Sequence, residues 1–366
     1  DDWFLQVGHN WENTMIKKLI SIPKTLSSGI AALALGCAFV ASSSQAAVII
    51  PTKGGFSGYV NLAVGGIEVE SNMLSSIADG NIDIGDKIVD NLNDSPDSNT
   101  EALPIINFEL SYTFASTRTQ LHIGNLMEDF LRFDTTTVAG VRQDVGKAGL
   151  IGASVQASSL ASQVWRDPYQ TGTKRKDTDR TSKGGRLYWQ QIMGSGLEIR
   201  LTATEIDIDK ERSGNSLEDL TKAQRNRLDR NGDVLKVDMF YEFLSDDNRH
   251  SVTPGIGYID SDLDGEAMAS DGVNASLNYI YKHNDTWRWV FNASYSDLDS
   301  KKSNPIYGET DSANSYGVSA TFFYTEPFGW KKWAFNGTAG YFDEDHDIDF
   351  YDTSVGLVTI GMFRKF

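Results

Sequence analysis

Apolar side chains fall at every second position in run after run of this chain, and this period of two narrows its fold more than any other feature. Ile106, Phe108, Leu110, Tyr112 and Phe114 alternate with Asn107, Glu109, Ser111 and Thr113. Leu235, Val237, Met239, Tyr241 and Phe243 do so around Lys236, Asp238 and Glu242, and the runs 273–281, 287–295, 316–324 and 333–341 repeat the pattern. Successive side chains take opposite faces only in a strand. The runs are about ten residues long, the length of a tilted membrane strand and longer than most strands of soluble sandwiches. No stretch after residue 46 reaches about 18 consecutive apolar residues, so membrane helices are excluded.

The period alone leaves two folds open. In a sandwich the apolar face is the core; in a membrane barrel it meets lipid and the polar face lines water. Loop lengths separate them. Short connections at 115–118, 193–196, 244–249, 283–286 and 326–331 alternate with long ones at 68–103, 167–183, 209–233, 260–271 and 297–313. Tight turns on one side and long polar loops on the other are the asymmetry of a barrel inserted from the periplasm. The expected fold is therefore all-β, a single transmembrane antiparallel β-barrel. It has about 14 strands, near 54–67, 104–114, 119–125, 135–143, 148–165, 185–192, 197–208, 234–243, 250–260, 272–282, 287–297, 314–325, 331–342 and 352–366. A false hairpin within 119–165 would make it 12. Trp165, Trp189, Trp287, Trp289, Trp330 and Trp333 are expected at the lipid–water boundaries.

The N-terminus reads as an export signal. Met15-Ile16-Lys17-Lys18 supplies a start and a basic segment, and residues 29–41 form an apolar stretch too short to span a bilayer. Ser44 and Ala46 offer small residues for cleavage after Ala46. The expected organisation is residues 1–14 as an upstream-start artefact, 15–46 as signal peptide and 47–366 as barrel. Cys37, the only cysteine, lies inside the apolar stretch, with Ala34 and Leu35 where a lipoprotein needs a branched and a small residue. Cleavage leaves a chain without thiol or disulfide chemistry.

The last residues, Val358, Ile360, Met362 and Phe366, place apolar groups at alternate positions before a terminal Phe. This resembles the terminal strand of Gram-negative outer-membrane β-barrel proteins of the porin type, and the chain is similar to an uncharacterised porin-like family. Arg364 departs from the pattern, which usually has an apolar or aromatic residue there. The resemblance covers residues from about 54 to 366. It implies a bacterial outer-membrane location, with these four residues read by the barrel-assembly machinery. It also implies contact with outer-membrane lipid and lipopolysaccharide.

A net charge of −17 argues against nucleic acid as a partner, because phosphate binding needs a basic face. Strand parity turns Glu109, Arg186, Glu198, Arg200, Lys236, Asp238, Glu242 and Arg288 inward as candidate pore-lining residues, either for an open pore or as neutral pairs in a plugged one. Acids alternate at the extracellular strand ends: Glu205, Asp207 and Asp209; Asp260, Asp262 and Asp264; Asp297 and Asp299; Asp343, Asp345, Asp347 and Asp349. They read as an acidic pore rim. Asp260, Asp262, Asp264 and Asp271 have the spacing of a partial Ca²⁺ loop, and no other cofactor is expected. His346 between Asp345 and Asp347 is the one acid–His arrangement at the rim, and a solvated acidic loop is its plainer reading. No zinc spacing, phosphate loop or nucleophile elbow occurs. Leu74, Ile77, Ile84, Ile88 and Leu92, and also Leu217, Leu220 and Leu228, are spaced for short helices that fold into the mouth or onto a neighbouring loop.

The resulting expectation is a non-enzymatic channel for passive diffusion of small hydrophilic solutes with a modest cation preference. A surface-binding or structural barrel is the alternative, and an outer-membrane hydrolase a more distant one. N-terminal sequencing of the mature protein is expected to start at Ala47 or Val48, and deletion of Phe366 to impair assembly. A mature chain that retains Met15 would remove the export reading.

Overall fold

Backbone hydrogen bonds close the chain on itself, as a computed structural model describing residues 48–129 and 133–366 makes visible. Strand β1 (Gly55–Ser71) pairs along one edge with β4 (Ser98–Phe114) and along the other with β18 (Thr353–Lys365). Between them run β5 (Thr119–Asp129), β6 (Asp134–Asp144), β7 (Leu150–Ser158), β9 (Asp177–Gln190), β10 (Leu197–Ile208) and β11 (Gly232–Tyr241). The wall continues through β13 (His250–Leu263), β14 (Ser270–Lys282), β15 (Trp287–Ser300), β16 (Ser312–Thr325) and β17 (Trp333–His346). The result is a closed antiparallel barrel of 14 strands, the number expected from the loop pattern. Closure is obligatory in hydrocarbon, where an unpaired N–H or C=O costs several kcal/mol. The signal-peptide reading concerns residues outside those described.

Parity assigns each side chain. Trp287, Trp289, Phe291, Ala293 and Tyr295 of β15 are exposed on the outer face, while Asn292, Ser294 and Ser296 turn inward. Trp287 stacks on Tyr324 with ring centroids 4.4 Å apart, beside Trp289 and Phe322. With Trp189, Trp330 and Trp333 these rings lie at the strand ends joined by short turns, and Tyr258, Tyr295, Tyr316 and Tyr341 lie toward the ends that carry the long connections. Amphipathic rings favour both boundaries. Trp165 is the exception to the expected girdle: it is 1 % exposed, under the Arg175 guanidinium 4.4 Å from its ring.

The seam between first and last strands seats the C-terminus. The Phe366 N–H donates to Gly58 O, and a Cβ on Gly58 would come within 2.8 Å of the Phe366 ring. Only glycine admits that contact.

Four short strands complete the sheet. β12 (Phe243–Leu244) prolongs β11 beside β13, and β2 (Leu74–Ile77), β3 (Ile82–Asp83) and β8 (Ser162–Trp165) belong to extracellular connections. The expected strand 148–165 is in fact broken. Asp79, at the β2–β3 turn, exchanges hydrogen bonds with Ala161, and β8 then pairs with both β9 and β2. The apolar spacing of 74–92 that suggested a helix is taken up by this pairing instead. Leu74, Ile77, Ile82 and Ile84 pack on inward-facing Ile67, Val69, Leu103, Ile105, Val355 and Leu357. A strand exposes both edges to partners, and here β8 and the barrel interior override a weak local helix preference.

Neighbouring positions of β15 test the two faces. Ala293→Arg, aimed at lipid, is expected to destabilise the barrel by about 2–4 kcal/mol. Ser294→Arg, aimed at the lumen, should cost about 0.5 kcal/mol or less. Urea unfolding in phospholipid vesicles measures both, and equal costs would contradict the assigned faces.

Candidate functional site

Six extracellular connections, 72–97, 166–176, 209–231, 264–269, 301–311 and 347–352, meet over the barrel and share one apolar core. Val89, Tyr169, Leu228, Ile348, Phe350 and Tyr351 are buried there, with Met73, Leu92, Leu217, Leu220, Met268, Ile306 and Tyr307 packed around them. Polar links tie the connections together. The Tyr169 and Tyr351 hydroxyls are 2.7 Å apart, Asn304 donates to the Tyr351 hydroxyl at 2.6 Å, and Tyr307 donates to Leu92 O at 2.9 Å. Arg175 donates to the carbonyls of Asp86, Asn72 and Pro168. Burial pushes its pKa down to about 10, opposed by Asp86 and Asp167. The loops therefore form a lid with its own core. In 209–231 a short helix α1 (Lys222–Asn226) starts with a Thr221–Gln224 capping box, so the expected helix exists but the buried leucines lie on either side of it.

Under the lid lies a cavity of about 490 Å³. Its wall is the inward face, toward the lid, of β9 to β11, β13 to β18 and the end of β1. Ile206, Ile208, Val234, Ile259 and Leu263 make an apolar side, and Ser276, Ser294, Ser296 and Ser315 a hydroxyl side. Three charge groupings reach it. Arg180 faces Asp134 at 3.8 Å, Arg230 bonds Glu211 at 2.7 Å, and His346 is held between Asp311 and Glu344. His346 Nδ1 lies 2.6 Å from Asp311 and Nε2 3.1 Å from Glu344. Burial lowers its pKa, but the hydrogen bonds to the two carboxylates outweigh it and hold the imidazole up to about 9. Both imidazole nitrogens are thus engaged by carboxylates, and the group ties the 347–352 connection to β17 and to Asp311. Its partners are not the adjacent Asp345 and Asp347 of the sequence reading, because those two alternate away from it.

On the side of β4, β5, β6, β9 and β10, the lumen holds long polar side chains. Arg142 joins Glu109, Gln120 and Ser111, while Glu198 joins Arg200 and Gln190. Arg200 also covers the Phe240 ring at 4.9 Å. Of the candidate pore-lining residues, Glu198 and Arg200 are thus brought together and Glu109 meets Arg142. Arg186 bonds Thr202, Asp238 accepts from Asn274, Glu242 accepts from Ser251, and Arg288 lies over Phe323. Lys236 lines the cavity. Sequence reasoning passed over Arg142, Arg180, Arg230, Asp311 and Glu344. Parity exposes Arg142, Arg180 and Glu344 as inward, but nothing in the sequence marks loop residues Arg230 and Asp311.

The acidic rim is where expectation and structure part. Glu205, Asp207, Asp260, Asp262, Asp297, Asp299, Asp343 and Asp345 share the parity of the lipid-facing residues below them. They continue the outer face toward the long connections and do not line the mouth. Asp260 and Asp262 are bridged by Lys301 at 2.8 and 3.1 Å, and these carboxylates raise the Lys301 pKa. Asp271 accepts from the Tyr258 hydroxyl. Asp271 stands opposite Asp260 in the ladder, but Lys301 and Tyr258 occupy these carboxylates, and Asp264 lies in the following turn. Among the described residues no group of three metal-ligating side chains is arranged to hold an ion.

Residues 55–364 match the family described as "Protein of unknown function (DUF2860)". The comparison with curated proteins found no match. Among solved structures the chain is similar to the outer membrane channel DcaP of Acinetobacter baumannii, at 12 % identity over 86 % of this chain and 97 % of that one, with a TM-score of 0.43. It is similar to a Pseudomonas aeruginosa FadL homologue at 10 % identity, over 85 % and 89 % of the two chains, with a TM-score of 0.41. It is also similar to OmpT, an outer membrane protein of Vibrio cholerae, at 10 % identity, over 86 % and 98 %, with a TM-score of 0.40.

The His346 tie makes the lid pH-dependent. Its folded pKa, about 9, lies above the ordinary value of 6.5, so the stabilisation is complete below about pH 6.5 and is lost as pH rises through 9. Hydrogen exchange of 347–352, corrected for the intrinsic rate, should be slowest at pH 6 and quicken toward pH 10. His346→Asn should remove the dependence, and a wild-type lid equally protected at both pH values would contradict the tie.

Proposed function

The chain belongs to the DUF2860 family, and we propose that it is a bacterial outer-membrane channel for small hydrophilic solutes, gated by its extracellular lid. The observation that carries this reading is the lining. Many inward positions of β13 to β17 are small and polar, among them Thr253, Gly257, Asn274, Ser276, Asn278, Ser294, Ser315, Ser319 and Thr338, set between the apolar Ile259, Leu263, Val290, Phe323 and Phe342. A barrel that served only as a structural anchor has no need of a hydrated interior, and fourteen strands enclose more space than side chains fill. The exposed apolar belt and its two aromatic boundaries fit a bilayer outside that lining.

The charge arrangement bears on selectivity. Because the rim acids face outward and most lumen charges are paired, the support left for a cation preference is the long-range field of the net charge of −17. That field is screened within about 3 Å at 1 M salt and about 30 Å at 0.01 M.

Purified protein in planar lipid bilayers is expected to give discrete conductance steps whose closures lengthen at pH 6, where His346 ties the lid. The reversal potential across a salt gradient should show a small cation preference at low salt that vanishes near 1 M. Inserted protein that never conducts would favour the surface-binding or structural barrel, and clear anion selectivity at low salt would end the cation-preference reading.

A further inference from the structure

Lys236 stands apart from every other charged side chain on the chamber wall. Arg180 and Arg230 have carboxylate partners, and Asp311 and Glu344 share His346. Lys236, half-buried on β11 in register with Thr202 and Ile259, has no ion-pair partner among the described residues. Toward the lid, the wall beside it is apolar: Val234 on its own strand, Ile206 and Ile208 on β10, Ile259 and Leu263 on β13. An ammonium beside an apolar surface pairs best with an anion that brings its own apolar body, because charge and chain are then both met.

We propose that the chamber is a binding site for a short- to medium-chain monocarboxylate. The carboxylate accepts hydrogen bonds from the Lys236 ammonium, and the chain lies on the Val234–Ile206–Ile259 surface beneath the lid. The cavity, about 490 Å³, is within the roughly 300–1,000 Å³ of small-molecule sites. The two carboxylates that line the chamber, Asp311 and Glu344, both hold His346, which leaves an organic cation no equivalent partner on its wall. This site names the solute class of the channel proposed above and rests on that reading for its role, though not for its existence.

Hexanoate is the probe, titrated calorimetrically into the full mature barrel in lipid nanodiscs with empty nanodiscs subtracted. Acetate supplies the charge without the chain, and hexylammonium the chain with the opposite charge. Hexanoate should bind saturably, about tenfold or more tighter than either control. Lys236→Gln should weaken hexanoate by about tenfold or more, and Lys236→Arg should keep it within about threefold. The same affinity in Lys236→Gln as in wild type, or hexylammonium binding as tightly as hexanoate, overturns the site. Both variants must retain the heat-resistant barrel migration of the wild type on gels. Bilayer recordings separate the two readings. Conductance without hexanoate binding removes the chamber site and leaves the channel, whereas binding without conductance removes the channel and leaves the site.

Discussion

A peptide group in hydrocarbon must find its hydrogen-bond partner within the protein, and this requirement organises the whole molecule. It forces the last strand back onto the first, with Ser71 opposite Thr353 and Tyr59 opposite Lys365. Once that register is set, strand parity dictates which side chains meet lipid and which meet the lumen. A one-residue slip would turn Leu62 and Val64 inward and Asn61 outward, so the pattern and the seam enforce each other. Phe366 locks the arrangement at its periplasmic end by resting on Gly58, the one side chain-free position that receives it.

Closing fourteen strands creates an interior wider than side chains can fill, and the chain meets this in two ways. Near β4 to β10, long charged residues pair along the inner wall, Arg142 with Glu109 and Arg200 with Glu198. Elsewhere the first extracellular connection enters, and its isoleucines and leucine cover apolar residues on β1, β4 and β18 that would otherwise face water. Each such side chain contributes about 1.5–3 kcal/mol on burial, which offsets the ordering of the loop that carries it. The same logic builds the lid, where no single loop has enough apolar surface to fold alone and six together do. The lid thus has an apolar core of its own, tied to the wall by Arg230 on Trp165 O and by Asp311 on His346.

Charge is partitioned by the same parity. The acids at the extracellular strand ends sit above the outer aromatic boundary, facing away from the lumen, where they are hydrated and bridged by groups such as Lys301. Inside, several opposite charges are paired at short range, as Arg142 with Glu109 and Arg200 with Glu198, while Asp238 and Arg288 meet an amide and a ring. Lys236 stands beside the apolar wall of the chamber and so gives the interior a point of chemical discrimination that the rim lacks.

The strand segments from 185 to 366, the short and long connections, and the total of 14 strands were legible from the sequence, because in a membrane wall burial alternates at every residue and leaves a written period of two. The inward direction of Glu109, Glu198, Arg200 and Lys236 followed from the same period. Parity also stood behind the outward direction of Asp260, Asp297 and Asp343, but reading them as a pore rim treated strand ends as though they pointed into the mouth. The break between β7 and β8, the place of Trp165, and the strand pairing of 74–77 were decided only in three dimensions. Each depends on a partner distant in the chain: Asp79 for Ala161, Arg175 for Trp165, β8 for β2. The chamber belongs to that second class as well. Its walls come from ten barrel strands under a lid of six loops, and no local pattern records which loop will reach across to which, because the free energy that decides it arises only when their apolar surfaces meet.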